Sequence, residues 1–417
     1  MQPAVGPLSA AVRVPGSKSV ANRMLVCATL AQGSSRIDNL APGDDTAAML
    51  DCVTMLGAGI ETDDETVTIA GTGGRIRADT MTLPTRLAGT TSRFVTALAA
   101  LGAGHYTIDG LPPLRARPMS PLHDALAQLG ASVTPTTRWG HLPVTVSGPL
   151  TTSDANVQVR GDVSSQYVTA LMLIGPCLPD GLRIELTTPL VSRSYLAITA
   201  AVMAMFGVEG VEVGESRIVV PAGGYRCASV TVEPDASSAS YPFAAAAIVG
   251  GSVTVTGLTS ASLQGDARFT ELLAKMGCEV HSDDAGTTVR REGPLAGIDV
   301  DMADMSDLVP TLAVIAAFAS TPTTIGGVGF IRGKESDRLG DLAAELRRAG
   351  VQVTETDDGL IVEPSRPTPA VLNTHHDHRL AMSFGLLGLG SEGIEVADPE
   401  VVTKSWPGYW AMLRALA

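Results

Sequence analysis

The sequence predicts a mixed α/β fold that is built from repeated strand–helix units and divided into two domains. The main observation is a pattern that recurs five times: an apolar helix-like segment, a glycine, and a short segment of alternating polarity. The junction glycines lie 70 to 77 residues apart, at Gly57, Gly130, Gly207, Gly277 and Gly350. The second observation is the length of 417 residues, which suits two or three domains at about 150 residues each.

Each junction predicts a helix that ends at a glycine in the C′ position and is followed directly by a strand. Residues 409–417 match the pattern of a sixth such helix, and residues 12–18 are the predicted source of the strand that should follow it. Six units divide into two domains of three. We therefore predict one domain from residues 1–16 and 234–417, an inserted domain from residues 17–233, and an active site in the cleft between them.

Composition and charge exclude several classes of function. The hydrophobic fraction of 45% excludes global disorder, and the net charge of −14 disfavours binding to nucleic acid or to anionic membranes. The five cysteines show no C-x-x-C spacing, which predicts a reducing, cytoplasmic location and no zinc site. We find neither a secretory signal nor an apolar stretch near the ~20 residues of a membrane span. An anionic ligand would need a local group of cations.

Several predicted helix starts carry groups that could bind anions. The segment PGSKSVANR places Lys18 and Arg23 at the start of an apolar helix, and LAGTTSR places Arg93 at another. Arg117 precedes a third helix, and GDVSSQ puts two hydroxyls and an amide before a fourth. Taken singly, each start is explained better by helix capping. Taken together, they predict one pocket for anions.

Two further segments are rich in charge. Gly333 and Lys334 resemble the end of a Walker A loop, but Val328 occupies the place of its first glycine and Glu335 follows the lysine. An ATP site is therefore disfavoured, and Glu335 remains an acid–base candidate or part of an exposed helix start. The segment NTHHDHR contains three histidines, yet neighbouring residues rarely complete a metal site, so we favour an anion contact through Arg379.

In chain order, eight segments resemble the 5-enolpyruvylshikimate-3-phosphate (EPSP) synthase family of enolpyruvyl transferases: PGSKSVANR, LAGTTSR, RARPM, GDVSSQY, EPDASSASYPFAAAAIVGG, KESDRL, DHRLAM and VTKSWPGYW. They span residues 15–410. The resemblance implies a two-domain inside-out α/β barrel of six βαβαββ units, three in each domain. It also implies transfer of the enolpyruvyl group of phosphoenolpyruvate (PEP) to the 5-hydroxyl of shikimate 3-phosphate, in the pathway to chorismate and aromatic amino acids. No metal or organic cofactor is implied, and a monomer is expected.

The resemblance also implies roles for individual residues. Asp307 would be the base on the 5-hydroxyl, Glu335 the proton donor or acceptor at the PEP methylene, and Lys18 a contact to both substrates. The residues implied for shikimate 3-phosphate are Lys18, Ser19, Arg23, Ser164, Ser165, Gln166, Ser192, Asp307 and Lys334. The residues implied for PEP are Lys18, Gly89, Arg117, Gln166, Arg338, Arg379 and Lys404.

Three alternatives stay open from the sequence. A transferase acting on UDP-N-acetylglucosamine usually has Cys where this chain has Pro112, and Asn where it has Ser19. A relative recruited to a modified shikimate is a second alternative, and a non-catalytic repeat protein is the third. Two departures from the family pattern bear on the acceptor: Phe330 stands where the family usually has Asn or His, and Leu87 stands where it usually has Asn.

Overall fold

The computed structural model describes residues 3–150 and 155–416. The strands in these ranges are β1 (Leu8–Val12), β2 (Ala31–Gln32), β3 (Ser34–Asp38), β4 (Gly59–Asp63), β5 (Thr66–Ala70), β6 (Thr80–Pro84), β7 (His105–Asp109), β8 (Ser132–Pro135), β9 (Val144–Ser147), β10 (Asn156–Val159), β11 (Leu182–Leu186), β12 (Glu212–Val213), β13 (Arg217–Val220), β14 (Tyr225–Arg226), β15 (Ser229–Thr231), β16 (Gly251–Thr256), β17 (Glu279–Asp283), β18 (Gly286–Arg291), β19 (Asp299–Asp301), β20 (Thr323–Gly326), β21 (Val353–Glu355), β22 (Leu360–Val362), β23 (Ala370–Leu372) and β24 (Ile394–Val396).

The α-helices of the described ranges are α1 (Lys18–Leu30), α2 (Asp44–Met55), α3 (Gly89–Ala99), α4 (Pro112–Arg115), α5 (Ser120–Gln128), α6 (Ser165–Ile174), α7 (Ser194–Met205), α8 (Ala236–Val249), α9 (Phe269–Lys275), α10 (Val309–Ala317), α11 (Gly340–Arg348), α12 (His378–Gly390) and α13 (Tyr409–Leu416). Short 3-10 helices cover Gly175–Cys177, Gly265–Arg268, Ala303–Leu308, Gly329–Gly333 and Pro399–Lys404. Among the described helices, none combines the length and the apolar character needed to cross a bilayer.

The chain divides into two compact units. The first contains Met1–Pro15 and Glu233–Ala417, and the second contains Gly16–Val232. The first unit therefore contains both ends of the chain, and the second is inserted into it.

Five four-stranded sheets share one topology, in which a parallel pair is extended by two antiparallel pairings. The second unit contains the orders β15-β3-β5-β4, β6-β7-β9-β8 and β10-β11-β13-β12, and the first unit contains β1-β16-β18-β17 and β19-β20-β22-β21. Helices alternate with the strands of these sheets along the chain, so the mixed α/β fold of repeated strand–helix units is confirmed.

All five junction glycines end their helices in the left-handed region, as the repeat predicts. Their φ values are +117°, +90°, +83°, +104° and +78° for Gly57, Gly130, Gly207, Gly277 and Gly350. A side chain is strained in this conformation, which is why glycine occupies the C′ position. The strand that follows each glycine lies at the edge of its sheet.

The prediction that residues 12–18 supply the strand after the sixth helix was wrong. The N-terminal strand β1 pairs in parallel with β16, with Leu8 opposite Gly251, and so completes the sheet β1-β16-β18-β17 of the fourth strand–helix repeat. Gly251 permits this pairing because a Cβ there would lie 2.1 Å from the Leu8 carbonyl oxygen. The sixth strand–helix repeat contains only the two-stranded sheet β23–β24. Its last helix, α13, ends at Leu416 in the described residues.

Three helices form the centre of each unit. In the second unit α1, α3 and α6 pack against one another, and in the first unit α8, α10 and α12 do the same. Nearly every residue of these helices is buried, including polar ones such as Asn22 and Arg23 in α1 and Arg93 in α3. The six helices occupy equivalent places in the repeat, so the groups at their starts can be compared.

A buried histidine in α5 predicts loss of stability in acid. His123 is fully buried, its ring lies edge-on to Trp139, and neither ring nitrogen has a hydrogen-bond partner within the described residues. Burial, with Arg93 and His141 adding to it, lowers the pKa of His123 to about 4. The unfolded chain therefore takes up the proton first, at a pKa near 6.5, and stability falls as the pH drops from about 6.5 to about 4.

In the wild type, the free energy of unfolding should fall between pH 7 and pH 4.5 because His123 is buried. We expect His123→Leu to reduce this fall by up to about 3 kcal/mol, as measured by urea unfolding at the two pH values. His281→Leu, at an exposed position, is the matched control. Equal pH dependence in the wild type and His123→Leu would contradict this account.

Candidate functional site

Polar side chains occupy the starts of the central helices. Lys18 begins α1, Gly89 begins α3 and Ser165 begins α6, while Asp307 lies two residues before α10 and Asp377 caps α12. Helix N-termini present unpaired N–H groups and a partial positive charge. These positions therefore favour bound anions and ionised carboxylates.

In the first unit, Asp307 is the centre of a charged network. Its Oδ1 accepts hydrogen bonds from Lys334 Nζ at 2.5 Å and from Arg338 Nη1 at 2.8 Å. Its Oδ2 accepts one from Arg379 Nη2 at 2.8 Å. Lys334 Nζ also donates to Ser306 Oγ at 2.9 Å. Three cations from two separate segments therefore converge on one carboxylate.

Arg338 fixes the geometry of this network from within the core. Its side chain is 2% exposed, and Nε lies 2.6 Å from Asp377 Oδ2 while Nη2 lies 3.2 Å from Asp377 Oδ1. Asp377 is fully buried and accepts a hydrogen bond from the Arg379 backbone N–H at 2.9 Å. The same carboxylate thus caps α12 and orients the guanidinium of Arg338.

Glu335 links the network to the segment before α13. Its Oε2 lies 2.9 Å from Arg338 Nη2, and its Oε1 accepts a hydrogen bond from Lys404 Nζ at 3.1 Å. Lys404 is itself 8% exposed, at the end of a 3-10 helix. We call these seven residues the Asp307 cluster: Asp307, Lys334, Glu335, Arg338, Asp377, Arg379 and Lys404.

The cluster perturbs its own ionisation. Burial alone would raise the pKa of Asp307, but the three cations that contact it hold its pKa well below the ordinary value. Burial alone would lower the pKa of Arg338, but the three carboxylates around it raise its pKa. Burial lowers the pKa of Lys334. The cluster holds four cations and three carboxylates, so it carries excess positive charge in a chain of net charge −14.

In the second unit, Lys18 is held by a carboxylate that the sequence analysis missed. Lys18 Nζ lies 2.9 Å from Asp45 Oδ2, and Asp45 is 3% exposed in the first turn of α2. The available signal was the pair of aspartates that follows Gly43 at a helix start. Asp45 therefore fixes the ammonium that the resemblance assigns to both substrates.

Arg23 is held mainly by the protein itself. Its Nε donates to Thr199 Oγ1 at 2.8 Å, and its terminal nitrogens donate to the carbonyls of Ser19 and Tyr195 at 2.7 and 3.3 Å. The guanidinium also lies 5.6 Å from the centroid of the Phe94 ring. Burial lowers the pKa of Arg23 to about 10. Arg23 thus braces Ser19 and the start of α7.

Two arginines crowd the first residue of α3. Arg93 Nη1 donates to the Gly89 carbonyl at 2.9 Å, and Nη2 donates to the Pro118 carbonyl at 3.2 Å. A Cβ on Gly89 would lie 2.7 Å from Arg117 Nη1 and 3.0 Å from Arg93 Nη1. A side chain at this position would therefore displace the end of the Arg117 guanidinium.

The resemblance assigns Arg117 to PEP, so we expect Gly89→Ala, which displaces Arg117, to raise the KM for PEP about tenfold or more. Initial-rate kinetics with PEP as the varied substrate measure this. Gly293→Ala, where a Cβ would meet no atom within 4 Å, is the control. An unchanged KM in Gly89→Ala would show that Arg117 does not bind PEP.

The remaining predicted residues of the second unit lie around α6. Ser164 caps α6 and accepts a hydrogen bond from the Gln166 backbone N–H at 3.3 Å. Gln166 Nε2 donates to Thr90 Oγ1 at 3.4 Å, which connects the starts of α6 and α3. Ser165 is 5% exposed, and Ser192 is 8% exposed with a left-handed backbone at φ +53°. Such a strained non-glycine residue is typical of a functional site.

Phe330 contacts the cluster in a way that the family residue would not. Lys334 Nζ lies 5.8 Å from the centroid of the Phe330 ring, within cation–π range. Phe330 cannot donate the hydrogen bond that Asn or His would supply, and the neighbouring Arg332 is a candidate to replace it. In the structure it is held instead by Glu355 at 2.6 Å and Asp337 at 3.1 Å. Leu87 is half-buried beside the start of α3.

The histidine-rich segment has structural contacts. His375 Nε2 lies 3.1 Å from Glu345 Oε1, and His376 has φ +58°. His378 is buried in the first turn of α12. Over residues 3–150 and 155–416, no group of three or more His, Cys, Asp or Glu side chains is arranged to hold a metal ion.

The predicted site residues fall into two sets, one in each unit. The structure joins six of them in the Asp307 cluster, although they come from four separate segments of the chain. Asp377 belongs to the same cluster and was missed because only the neighbouring Arg379 was considered. The second unit holds the other predicted residues, at Lys18, Ser19, Arg23, Gly89, Arg117, Ser164, Ser165, Gln166 and Ser192.

Comparison with known proteins gives consistent matches over the whole length. The family model for EPSP synthase (3-phosphoshikimate 1-carboxyvinyltransferase) matches residues 3–413. A 3-phosphoshikimate 1-carboxyvinyltransferase from Nostoc punctiforme is 43% identical over 407 residues, covering 97% of this chain and 95% of that protein. One from Burkholderia vietnamiensis is 42% identical over 427 residues, covering 99% and 98%.

Solved structures show the same fold. An EPSP synthase from Acinetobacter baumannii superposes with a TM-score of 0.84 at 25% identity, covering 100% of this chain and 97% of that one. The enolpyruvyl transferase NikO from Streptomyces tendae gives a TM-score of 0.79 at 22% identity, covering 99% and 95%, and supports the fold alone.

Proposed function

Because this chain belongs to the EPSP synthase family, we propose that the cations of its two units bind the two anionic substrates of that reaction. The chain is a transferase of the shikimate pathway. It transfers the enolpyruvyl group of PEP to the 5-hydroxyl of shikimate 3-phosphate, which yields 5-enolpyruvylshikimate 3-phosphate and phosphate.

The observation that carries the proposed site is the Asp307 cluster. Its four cations meet the need for charge-assisted contacts to phosphate and carboxylate groups in a protein that is otherwise strongly acidic. Its carboxylates Asp307 and Glu335 supply two groups that can take or give a proton. A purely structural ion-pair network has no need for this excess of cations.

We assign the cations and hydroxyls to substrates by the family motifs that they match. Shikimate 3-phosphate is bound by Lys18, Ser19, Arg23, Ser164, Ser165, Gln166, Ser192, Asp307 and Lys334. PEP is bound by Lys18, Gly89, Arg117, Gln166, Arg338, Arg379 and Lys404. The contacts of Arg23 to Thr199, Ser19 and Tyr195 support a role in orienting Ser19.

The chemistry divides into an addition and an elimination. Glu335 first takes up a proton from solvent; in the addition, Asp307 takes the proton of the 5-hydroxyl, the hydroxyl oxygen bonds to C2 of PEP, and Glu335 gives its proton to the methylene carbon. In the elimination, Glu335 takes a proton back from that carbon, the C2–O bond to phosphate breaks, and Asp307 returns its proton to the departing phosphate. Both carboxyl groups end the cycle as they began it.

The ion pairs around Asp307 link substrate binding to this chemistry. Arg338 and Arg379 contact Asp307 at 2.8 Å each, and they are also the proposed ligands of PEP. The anionic groups of PEP compete with Asp307 for these guanidinium groups. Binding PEP would therefore weaken the cations' hold on Asp307 and raise its basicity. Lys404 and Arg338 also pair with Glu335, so binding PEP would raise the basicity of Glu335 for the same reason.

Phosphate release by the purified full chain, given shikimate 3-phosphate and PEP, tests the proposed function. We expect turnover with this pair, and none when unphosphorylated shikimate or UDP-N-acetylglucosamine replaces the acceptor. Turnover with UDP-N-acetylglucosamine alone would reassign the enzyme to the cell-wall branch. We also expect a monomer in solution and, from five free cysteines, a cytoplasmic location.

Phe330 tests whether the acceptor site is altered. The Phe330 ring contacts Lys334 and donates no hydrogen bond to the substrate phosphate. We therefore expect Phe330→Asn to change the KM for shikimate 3-phosphate less than tenfold. Phe330→Leu, which keeps an apolar side chain and removes the ring, is the matched variant. A large gain in activity from a nearly inactive wild type would indicate a different natural acceptor.

A further inference from the structure

A buried carboxylate near Asp307 has no part in the chemistry described above. Asp266 is 5% exposed and lies in the 3-10 helix Gly265–Arg268. Its Oδ2 accepts a short hydrogen bond from Ser237 Oγ in the first turn of α8. Gln264, two residues before Asp266, also connects this segment to α8, because its Oε1 accepts a hydrogen bond from the Ala236 N–H at 3.0 Å. The position of Asp266 is therefore fixed from two directions.

The helix that carries Asp266 packs against the 3-10 helix Ala303–Leu308, which carries Asp307. An ion pair from Arg268 Nη2 to Asp304 Oδ2 at 3.8 Å joins the two at their solvent side. Two carboxylates thus lie on adjacent short helices within electrostatic range of each other. Like charges so placed each make the other harder to ionise.

The charged groups that face Asp266 come from three directions. Asp307 and Asp235 oppose its ionisation, and Arg379 favours it. Helix α8 contributes no charged side chain beyond Asp235 at its cap, and the charges of α9, Glu271 and Lys275, are exposed. Burial, more than any of these groups, raises the pKa of Asp266 to about 6, while the Ser237 hydrogen bond lowers it.

We propose that Asp266 is a positioning residue whose ionised carboxylate raises the basicity of Asp307. This inference rests on the proposed function, in which Asp307 removes the 5-hydroxyl proton. The argument is one of reciprocity: because the charge of Asp307 disfavours ionisation of Asp266, the charge of Asp266 disfavours ionisation of Asp307 by the same free energy. Three cations weaken Asp307 as a base, and Asp266 acts against them.

The sign of the pH effect follows directly. Above about pH 6 Asp266 is ionised, Asp307 is a stronger base, and turnover is high. Below that pH Asp266 is protonated, its repulsion is lost, and the cations hold Asp307 more firmly as a carboxylate. Turnover should therefore fall as the pH drops through the pKa of Asp266.

The test is the pH profile of kcat from pH 5 to 8, at saturating shikimate 3-phosphate and PEP, for the full chain and three variants. Ser237→Ala removes a hydrogen bond that favours ionised Asp266, so we expect its acid limb to move to higher pH. Asp266→Asn should lose the limb attributed to Asp266 and show a plateau kcat roughly three- to tenfold lower. Glu271→Gln, which removes an exposed carboxylate from α9, should match the wild type.

An acid limb that is identical in the wild type, Ser237→Ala and Asp266→Asn would overturn the inference, because it would then belong to a substrate phosphate or to another residue. If Asp266→Asn fails to fold, the shift in Ser237→Ala decides alone. Failure of the proposed function would differ, since Asp307→Asn would then retain turnover whatever the variants of Asp266 and Ser237 show.

Discussion

Asp307→Asn is expected to lower kcat by about 10²–10⁴, the usual contribution of a positioned general base. Asparagine keeps the size of the side chain, and its one oxygen can still accept hydrogen bonds from Lys334 and Arg338, but its NH2 group cannot accept one from Arg379 and the side chain cannot take up the hydroxyl proton. Removing one negative charge leaves the cations more available to anions. The KM for PEP should therefore stay similar or fall, while kcat is lost.

Steady-state kinetics with both substrates varied separate these effects, and thermal unfolding checks that the variant is folded. Asp304→Asn, on the same 3-10 helix with an exposed side chain, is the control for the loss of a charge. A variant of Asp307 that kept most of its turnover would show that another group removes the proton.

Arg338→Met is expected to have the largest effect on stability, because it leaves a buried charge without its main partner. Asp377 is fully buried, and Arg338 contacts it through two nitrogens at 2.6 and 3.2 Å. Breaking such a pair by removing one member costs about 3–5 kcal/mol. Activity should also be lost, since Arg338 is a proposed PEP ligand.

A double variant separates the two causes. Asp377→Asn keeps a side-chain oxygen at the cap of α12 but removes the charge, so Arg338→Met with Asp377→Asn should be more stable than Arg338→Met alone. Urea unfolding of the two single variants and the double variant gives the coupling. Arg160→Met, in an exposed ion pair with Asp162, is the control and should shift the midpoint little. A loss below ~1 kcal/mol in Arg338→Met would contradict the account.

The repeat could be predicted because its signals are local. A glycine after an apolar helical segment marks a left-handed C′ residue whatever the rest of the fold does, and all five junctions have that conformation. The same holds for the groups at the helix starts, such as Lys18 and Ser164, because capping depends on neighbours within a few residues. Motifs in register over residues 15–410 then identified the family and its reaction.

In two of the described four-stranded sheets, the strand that completes the sheet was decided by tertiary structure. Strand β1 pairs with β16 over a separation of more than 240 residues, and no pattern in either strand specifies the other. The pairing depends on which sheet edge is open and on Gly251, whose missing side chain admits the backbone of Leu8. A short apolar strand fits many edges equally well by sequence, and only the packed structure selects one.

The sequence by itself determined the strand–helix repeat, the net negative charge that makes clustered cations necessary, and the residues to which the family motifs assign the chemistry. The tertiary structure decided how those residues are ionised and held. The sequence predicted no role for three buried aspartates, Asp377, Asp45 and Asp266, because aspartate is common at helix starts. Their importance comes from burial and from cations tens of residues away, such as Arg338 for Asp377 and Lys18 for Asp45. Electrostatic energies depend on distance and dielectric environment, which follow from the packed structure and not from the order of residues.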